Sequence, residues 1–238
     1  MRPRLLDLFC GAGGAAMGYH HAGFDVVGVD IKPQPRYPFE FVQADAMTYP
    51  LDGFDAVHAS PPCQDHSTLS FMGEKHGTGW MLAATLERLT AQNRPWAVEN
   101  VPGASAAGAY VLCGKAFGLA PLKRHRLFWT SVPMLVPQCT CNPRRDHTVG
   151  VYGELSISDR IHSRTRRTMR AGVETARRLM GCPWMTGPEL SQTIPPVYTE
   201  HVGGYLLAAM APPAPAWTRC GCGGWMQAGN AHYCGGAS

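Results

Sequence analysis

The sequence predicts an α/β fold built on a parallel sheet. Over its first hundred residues, short apolar runs alternate with stretches of helical periodicity, the pattern of βαβ units. The first apolar run passes straight into a glycine-rich turn, Phe9-Cys10-Gly11-Ala12-Gly13-Gly14. Size points the same way: 238 residues, 45% hydrophobic and 16% charged, suffice for one full α/β core with a small appendage but not for two large domains.

Taken in order, Arg4–Phe9 reads as the first strand, followed by the turn and a helix near Ala15–Ala22. Asp25–Asp30 is a second strand, Glu40–Gln43 a short third and Phe54–Ala59 a fourth. A helix is expected around Trp80–Ala91, then strands at Pro95–Asn100 and Leu127–Thr130. From Val132 to Gly172 the pattern lapses into Pro, Arg, Ser and Thr; helical periodicity returns at Val173–Met180 and His201–Met210. After Pro212 the chain is rich in Pro, Gly and Cys. The expected division is a catalytic and cofactor-binding part over 1–131, a small element over 132–172, a return to the core over 173–217 and a Cys/Gly-rich tail over 218–238.

No run of 18 apolar residues is present, which excludes a membrane-spanning helix, and the first residues lack a signal peptide's long apolar region. A soluble cytoplasmic protein, bacterial or in a phage-infected host, and a monomer is the expectation. Nine cysteines, an odd number in a chain of this length, favour reduced thiols and metal ligands over a disulfide framework. The net charge of +4 is unevenly spread: residues 123–178 hold 12 Lys/Arg against 4 Asp/Glu, while both flanks are mildly acidic. A basic middle of this kind is either a solvated face or a surface that meets a polyanion.

Three strand ends carry chemistry. The glycine turn after Asp7-Leu8 lets backbone approach a ligand at a helix N-terminus. Asp30, about twenty residues on, is placed to accept hydrogen bonds from ribose hydroxyls, and Asp45 at the end of the third strand to receive an adenine amino group; together they suggest an adenosyl cofactor. The fourth strand ends in Ser60-Pro61-Pro62-Cys63-Gln64, whose prolines fix the backbone and present a thiol at the carboxyl edge of the sheet. The polar stretch from Asp65 to Gly79 suits a lid. The next strand ends in Glu99-Asn100-Val101, and a carboxyl group beside a nucleophilic thiol suits attack on a heteroaromatic ring. Arg124 and Arg126 flank His125 and share one side of a strand, placed for a phosphate or a base carbonyl.

These motifs, DLFCGAGG, PPCQ with Ser67, ENV and RHRLF, together with ETARRLMGCP and QTIPPVYTEHVG further on, resemble the cytosine-C5 DNA methyltransferases, in particular the compact bacteriophage-borne members. The resemblance implies a Rossmann-like S-adenosylmethionine-dependent methyltransferase sheet with a small inserted target-recognition element. It implies that Cys63 adds to C6 of a cytosine flipped from double-stranded DNA, with Glu99, Arg124 and Arg126 as its catalytic partners. Asp7, Phe9, Gly11, Gly13, Gly14, Asp30, Ile31, Asp45, Ala46, Pro61 and Gln192 would contact S-adenosylmethionine, Phe9 near the adenine. Gln64 and Ser67 would face DNA. The chain departs from the family at Leu122, where Gln is usual, and at Ser191-Gln192, where a Gly-Asn step is usual.

The resemblance also assigns the basic middle to target recognition, through Arg144, Arg145, Arg160, Arg164, Arg166, Arg167 and Arg170. Most of these would touch phosphate and few would read bases, for a target of about two to four base pairs. A restriction-modification or phage setting is implied, with a tRNA cytosine methyltransferase as the alternative enzyme and a silent binding module as the third possibility. The cysteine pairs stay open at this point. Cys139 and Cys141 with His147 form three-quarters of a zinc site, and Cys220, Cys222, His232 and Cys234 supply four zinc-type ligands in the tail.

Overall fold

The computed structural model of the chain describes residues 1–62, 79–104, 106–142, 145–162, 168–212, 217–219 and 225–227, with backbone alone at 160–162, 168, 217–218 and 225–227. Cys63, Gln64, Ser67, Arg144, Arg164, Arg166, Arg167, Cys220, Cys222, His232 and Cys234 lie outside the described residues, as do residues 65–78.

The first half is a Rossmann-like unit: β1 (Arg4–Leu8), α1 (Gly14–Ala22), β2 (Asp25–Asp30), β3 (Glu40–Gln43), β4 (Ala56–Ala59), α2 (Gly79–Thr90) and β5 (Trp96–Asn100). Strands β1, β2, β4 and β5 are covered on both faces, which is why they read as mostly apolar runs, whereas β3 is a partly exposed edge strand. An edge hairpin follows, β6 (Tyr110–Cys113) and β7 (His125–Thr130). The seven strands run in the order β3-β2-β1-β4-β5-β7-β6, with β1 to β5 parallel and β7 antiparallel to both of its neighbours. The chain leaves β1 toward β2 and β3, then crosses back to β4 on the other side of β1. That reversal opens a crevice at the carboxyl ends of β1 and β4, where open α/β sheets bind ligands.

Alternation along the strands sorts the core into two layers. Leu5, Ala56, Ala97 and Phe128 pack with Tyr19, Phe24, Tyr198, Val202 and Leu206 on the face covered by α1 and α5 (Pro196–Met210). Leu6, Leu8, Val57, Val98 and Trp129 pack with Leu82 and Leu89 of α2 on the other. Helices α1 and α5 meet closely because Gly18 sits against the Pro196 carbonyl and Thr199, where a methyl group has no room. Asp7, His58 and Glu99 alternate with the second layer along β1, β4 and β5, so they share the α1/α5 face and form a polar spine inside an apolar layer.

The third core belongs to the small element. Strands β8 (Thr148–Gly150), β9 (Arg160–His162) and β10 (Thr168–Arg170) form a sheet in the order β8-β10-β9. Val149, Val151 and Ala171 from this element pack with Leu122 and with Ala176, Met180 and Leu190 of α3 (Val173–Met180) and α4 (Gly187–Gln192). Leu122 is buried here and bridges to Val149, which accounts for an apolar residue where the methyltransferases that the sequence resembles usually have Gln. Two further short strands, β11 (Trp217–Arg219) and β12 (Trp225–Gln227), pair antiparallel. No helix among the described residues is long and apolar enough to cross a membrane.

Candidate active site

The turn after β1 is built by backbone that ordinary side chains resist. Phe9 has a φ of 58°, the one non-glycine residue at positive φ among those described, and Gly11 and Gly13 follow at 49° and 85°. A bulky residue held there is strained, and strain of this kind persists where the surroundings over-determine it. The surroundings here are the Gly11 N–H donating to Asp30 Oδ2 at 3.0 Å and the Cys10 N–H donating to the Val29 carbonyl at 3.1 Å. The Lys32 N–H takes the other Asp30 oxygen at 2.9 Å, so Asp30 ties the ends of β1 and β2 together.

The three glycines serve different ends. A methyl group on Gly11 would meet nothing within 4 Å, which leaves that face of the turn open. Gly13 packs on Tyr37 and Pro38, and Gly14 packs on Thr193 and the Ile194 carbonyl. Ile31, next to Asp30, is 68% exposed, a large apolar side chain standing beside the open face. Asp45 caps its own loop by accepting from the Met47 N–H at 2.9 Å, with Ala46 buried behind it. Open backbone, a strand-end carboxylate and an uncovered isoleucine fit the sugar and adenine of S-adenosylmethionine. Gln192 is exposed at the end of α4; the side chain that reaches the turn is its neighbour Thr193, which neither periodicity nor motif singled out.

Asp7 lies beneath the turn with no exposed surface. Its Oδ2 accepts from the Tyr37 hydroxyl at 3.4 Å, and Oδ1 has no hydrogen-bond partner among the described residues. Burial raises its pKa well above the carboxylate range. His58 Nε2 lies 4.0 Å from Asp7, but burial lowers the imidazole to about 3, so it stays uncharged beside that carboxyl.

Glu99, at the end of β5, lies at the centre of a buried polar cluster in the other half. Burial raises its carboxyl above the usual range, while Arg126, Arg124 and a hydrogen bond from Ser60 pull it part of the way back. Arg126 Nε lies 2.7 Å from Glu99 Oε1 and a second guanidinium nitrogen donates to the His125 carbonyl at 2.9 Å. Ser60 Oγ is in turn 2.9 Å from His58 Nε2, and the Tyr19 hydroxyl is 2.9 Å from His58 Nδ1. With Ser60 donating to Glu99, His58 donates from Nε2 and accepts from Tyr19 at Nδ1, the neutral form its burial demands.

Arg124, expected beside the substrate, is buried and committed elsewhere. Its guanidinium donates to the carbonyls of Val151 at 2.5 Å, Ser191 at 2.9 Å and Thr193 at 2.6 Å, stapling the small element and the approach to α5 onto β7. Asn100 is the residue that sequence reasoning passed over. Its amide donates to the Pro61 carbonyl at 3.1 Å, fixing the backbone two residues ahead of Cys63. The asparagine of the Glu-Asn-Val motif was the signal available.

Of the basic residues in the middle, Arg145 is exposed. Arg170 instead donates to the Glu154 carbonyl and lies over the Tyr152 ring at 5.7 Å. The backbone of Arg160 pairs with that of Arg170 across β9 and β10.

The strand order and the glycine turn define a Rossmann-like methyltransferase fold. Two solved structures share it: a protein described as a DNA modification methyltransferase encoded within a prophage of E. coli, and the Dnmt2 methyltransferase of S. pombe. The first covers 87% of this chain and 99% of its own at a TM-score of 0.57 and 15% identity. The second covers 89% and 100% at 0.57 and 14%. At those identities the likeness is one of fold. Sequence goes further: residues 3–110 match the model of the C-5 cytosine-specific DNA methylases. The Type II methylase M.HgiDII of Herpetosiphon aurantiacus is 30% identical over 116 residues, 41% of this chain and 32% of that relative, so the matched part spans about a third of the relative's length.

Proposed function

We propose that the chain methylates C5 of a cytosine flipped out of double-stranded DNA, with Cys63 as nucleophile. The observation that carries this is Glu99: a buried carboxyl biased toward its protonated form, braced by Arg126 and Ser60, on the strand next to the one that leads through Pro61 into Cys63. An acid so placed hydrogen-bonds or protonates cytosine N3 and makes C6 electrophilic. The Cys63 thiolate then forms a bond to C6, and C5 becomes the nucleophilic carbon of an enamine. S-adenosylmethionine, which Gly11, Asp30, Ile31 and Phe9 would hold, would supply an electrophilic methyl group and leave as S-adenosylhomocysteine. After transfer the C5 proton passes to water, and the electron pair it leaves re-forms the C5–C6 double bond and expels the Cys63 thiolate. Asn100 keeps the Pro61 backbone, and hence the approach to the nucleophile, in register with Glu99.

DNA is favoured as substrate by the description of the matching family and of the Type II methylase relative. Arg145, Arg160 and the arginines at 144, 164, 166 and 167 would meet its phosphates. The test is a duplex carrying 5-fluorocytosine, in which fluorine blocks the last step and traps the adduct. Wild-type protein should accumulate a covalent DNA complex and Cys63→Ala should form none while still binding cofactor. Methylation of normal duplex without any trapped adduct would defeat the mechanism. Transfer to tRNA but not to duplex DNA, in a side-by-side assay, would replace the substrate.

A further inference from the structure

Cys113 and His125 are cross-strand partners at the open end of the β6–β7 hairpin, and the segment after β7 returns Cys139 and Cys141 to the same point. One ligand atom from each of the four lies within 4.8 Å of all the others. Cys113 Sγ and Cys141 Sγ are 3.3 Å apart, and His125 Nε2 and Cys139 Sγ are also 3.3 Å apart. A disulfide needs about 2.05 Å between sulfurs, so these are separate thiols. A tetrahedral zinc ion with ordinary bond lengths sets its thiolates about 3.8 Å from one another and about 3.5 Å from an imidazole nitrogen. The two measured spacings are slightly shorter than those values, and no pair in the cluster exceeds 4.8 Å, so the four side chains reach a common centre with small adjustments.

We propose that Cys113, His125, Cys139 and Cys141 form a structural zinc site. The Cys-x-Cys spacing, tight for a zinc knuckle, works because residues i and i+2 of an extended chain share one side. The loop that carries it is held from outside the cluster: Lys115 Nζ donates to the Thr140 carbonyl at 3.2 Å and to Asp146 at 2.9 Å, and Asp146 accepts from the Asn142 N–H at 2.7 Å. Lys115, anchored on the carbonyl between Cys139 and Cys141, places a positive charge beside the cluster and so offsets the net −1 of three thiolates, one neutral imidazole and Zn²⁺. His147, the partner suggested by proximity in sequence, is exposed and takes no place in the cluster. Such a site closes all four positions and leaves none for substrate, which makes its role structural. It would fasten the first part of the basic segment to the edge of the sheet. It would also fix His125, which alternation turns away from Arg126, and so steady the strand end from which Arg126 reaches Glu99.

The tail cysteines must be separated from this site, so the reference protein is the full chain carrying Cys220→Ser and Cys222→Ser. Purified from zinc-supplemented cells, it should hold one equivalent of zinc by elemental mass spectrometry. Reconstituted with Co²⁺, it should show the intense visible d–d bands and thiolate charge-transfer absorption of a tetrahedral S₃N site. Adding Cys139→Ser and Cys141→Ser should remove that equivalent and those bands. His125→Cys should keep the metal and move the cobalt bands toward those of an S₄ site, a result that a passive thiol cluster cannot give. The proposal is overturned if the reference protein is metal-free with four freely titrating thiols at these positions and no cobalt bands. It is equally overturned by a Cys113–Cys141 disulfide in protein isolated without oxidant, or by metal content unchanged when Cys139 and Cys141 are replaced.

Discussion

Between β1 and β2 the site is made of backbone: three residues at positive φ, two N–H groups on Asp30, and an open face over Gly11. Between β5 and β7 it is made of buried charge: Glu99, Arg126 and Arg124, with His58 and Ser60 behind them. The first half owes its shape to which residues lack a Cβ, and glycine spacing writes that directly into the chain. The second depends on what lies across a strand from what, and a neighbour across a strand is many residues away in sequence. A groove of open backbone tolerates ligand and water alike. A buried carboxyl held by arginine is useful only while each partner stays in place. The two halves should therefore fail differently when mutated.

The largest effect is expected at Glu99. Glu99→Gln keeps the shape of the side chain but removes its titratable proton, and positioned acids contribute about 10²–10⁴-fold. Single-turnover methylation of duplex DNA should slow by that factor with cofactor affinity unchanged. A loss below about tenfold would take Glu99 out of the chemistry and leave the backbone half as the whole site.

The pair of arginines divides rate from stability within one strand. Arg124→Ala strips buried charged donors from three carbonyls, and losses of this kind cost about 2–5 kcal/mol. Urea unfolding should show that drop. Arg126→Ala takes one partner from an almost buried ion pair and should cost stability too, but it should be the variant of the two that also lowers the methylation rate, by letting the Glu99 carboxyl rise further. If the two variants exchange these signatures, the roles assigned from their hydrogen bonds are reversed.

A pH titration reads the polar spine. His58 falls from its usual 6.5 to about 3 in the fold. Between those values the unfolded chain binds a proton that the folded one refuses, so stability must fall as pH drops from about 6.5 toward about 3. Asp7 and Glu99, both raised by burial, act with the opposite sign: the folded state holds their protons longer, and they lose stability as pH rises. The informative quantity is thus a difference between proteins. His58→Gln should flatten the acid limb of the melting temperature relative to wild type, and identical limbs would mean that His58 titrates normally.

How much of this was visible beforehand follows the same divide. The strands β1, β2, β4 and β5 and the ends that carry Gly11, Asp30, Pro61 and Glu99 were legible because a doubly covered parallel strand is a mostly apolar run with a turn at its end. Strand β6 was not, since Tyr110 and Val111 are only partly covered and the preceding Ala-Ser-Ala-Ala-Gly stretch has no strand character. Strands β8 to β10 have three residues each, too few to show alternation. Helix α4 has six and starts on Gly-Pro. Alternation showed that Arg124 and Arg126 share a side but not that one of them would be spent on carbonyls sixty-seven and sixty-nine residues away. Cys113 had no motif to mark it, because its meaning comes from sitting across the hairpin from His125.

The smallest effect tests the basic segment, where a solvated face and a DNA surface make opposite forecasts. Each phosphate neutralised contributes roughly −0.9 to the slope of log affinity against log salt. Arg166→Ala with Arg167→Ala should flatten that slope by up to twice this amount and weaken target and scrambled duplexes alike, since phosphate contacts carry no sequence. Arg170 supplies the internal control. It is already held by Glu154 and Tyr152, so Arg170→Ala should lower the melting temperature and leave the slope nearly unchanged. Fluorescence anisotropy over several salt concentrations, on both duplexes, measures each slope. Should the double variant match wild type while Arg170→Ala flattens the slope, the phosphate-binding surface is the described sheet β8–β10 and the intervening arginines are solvated.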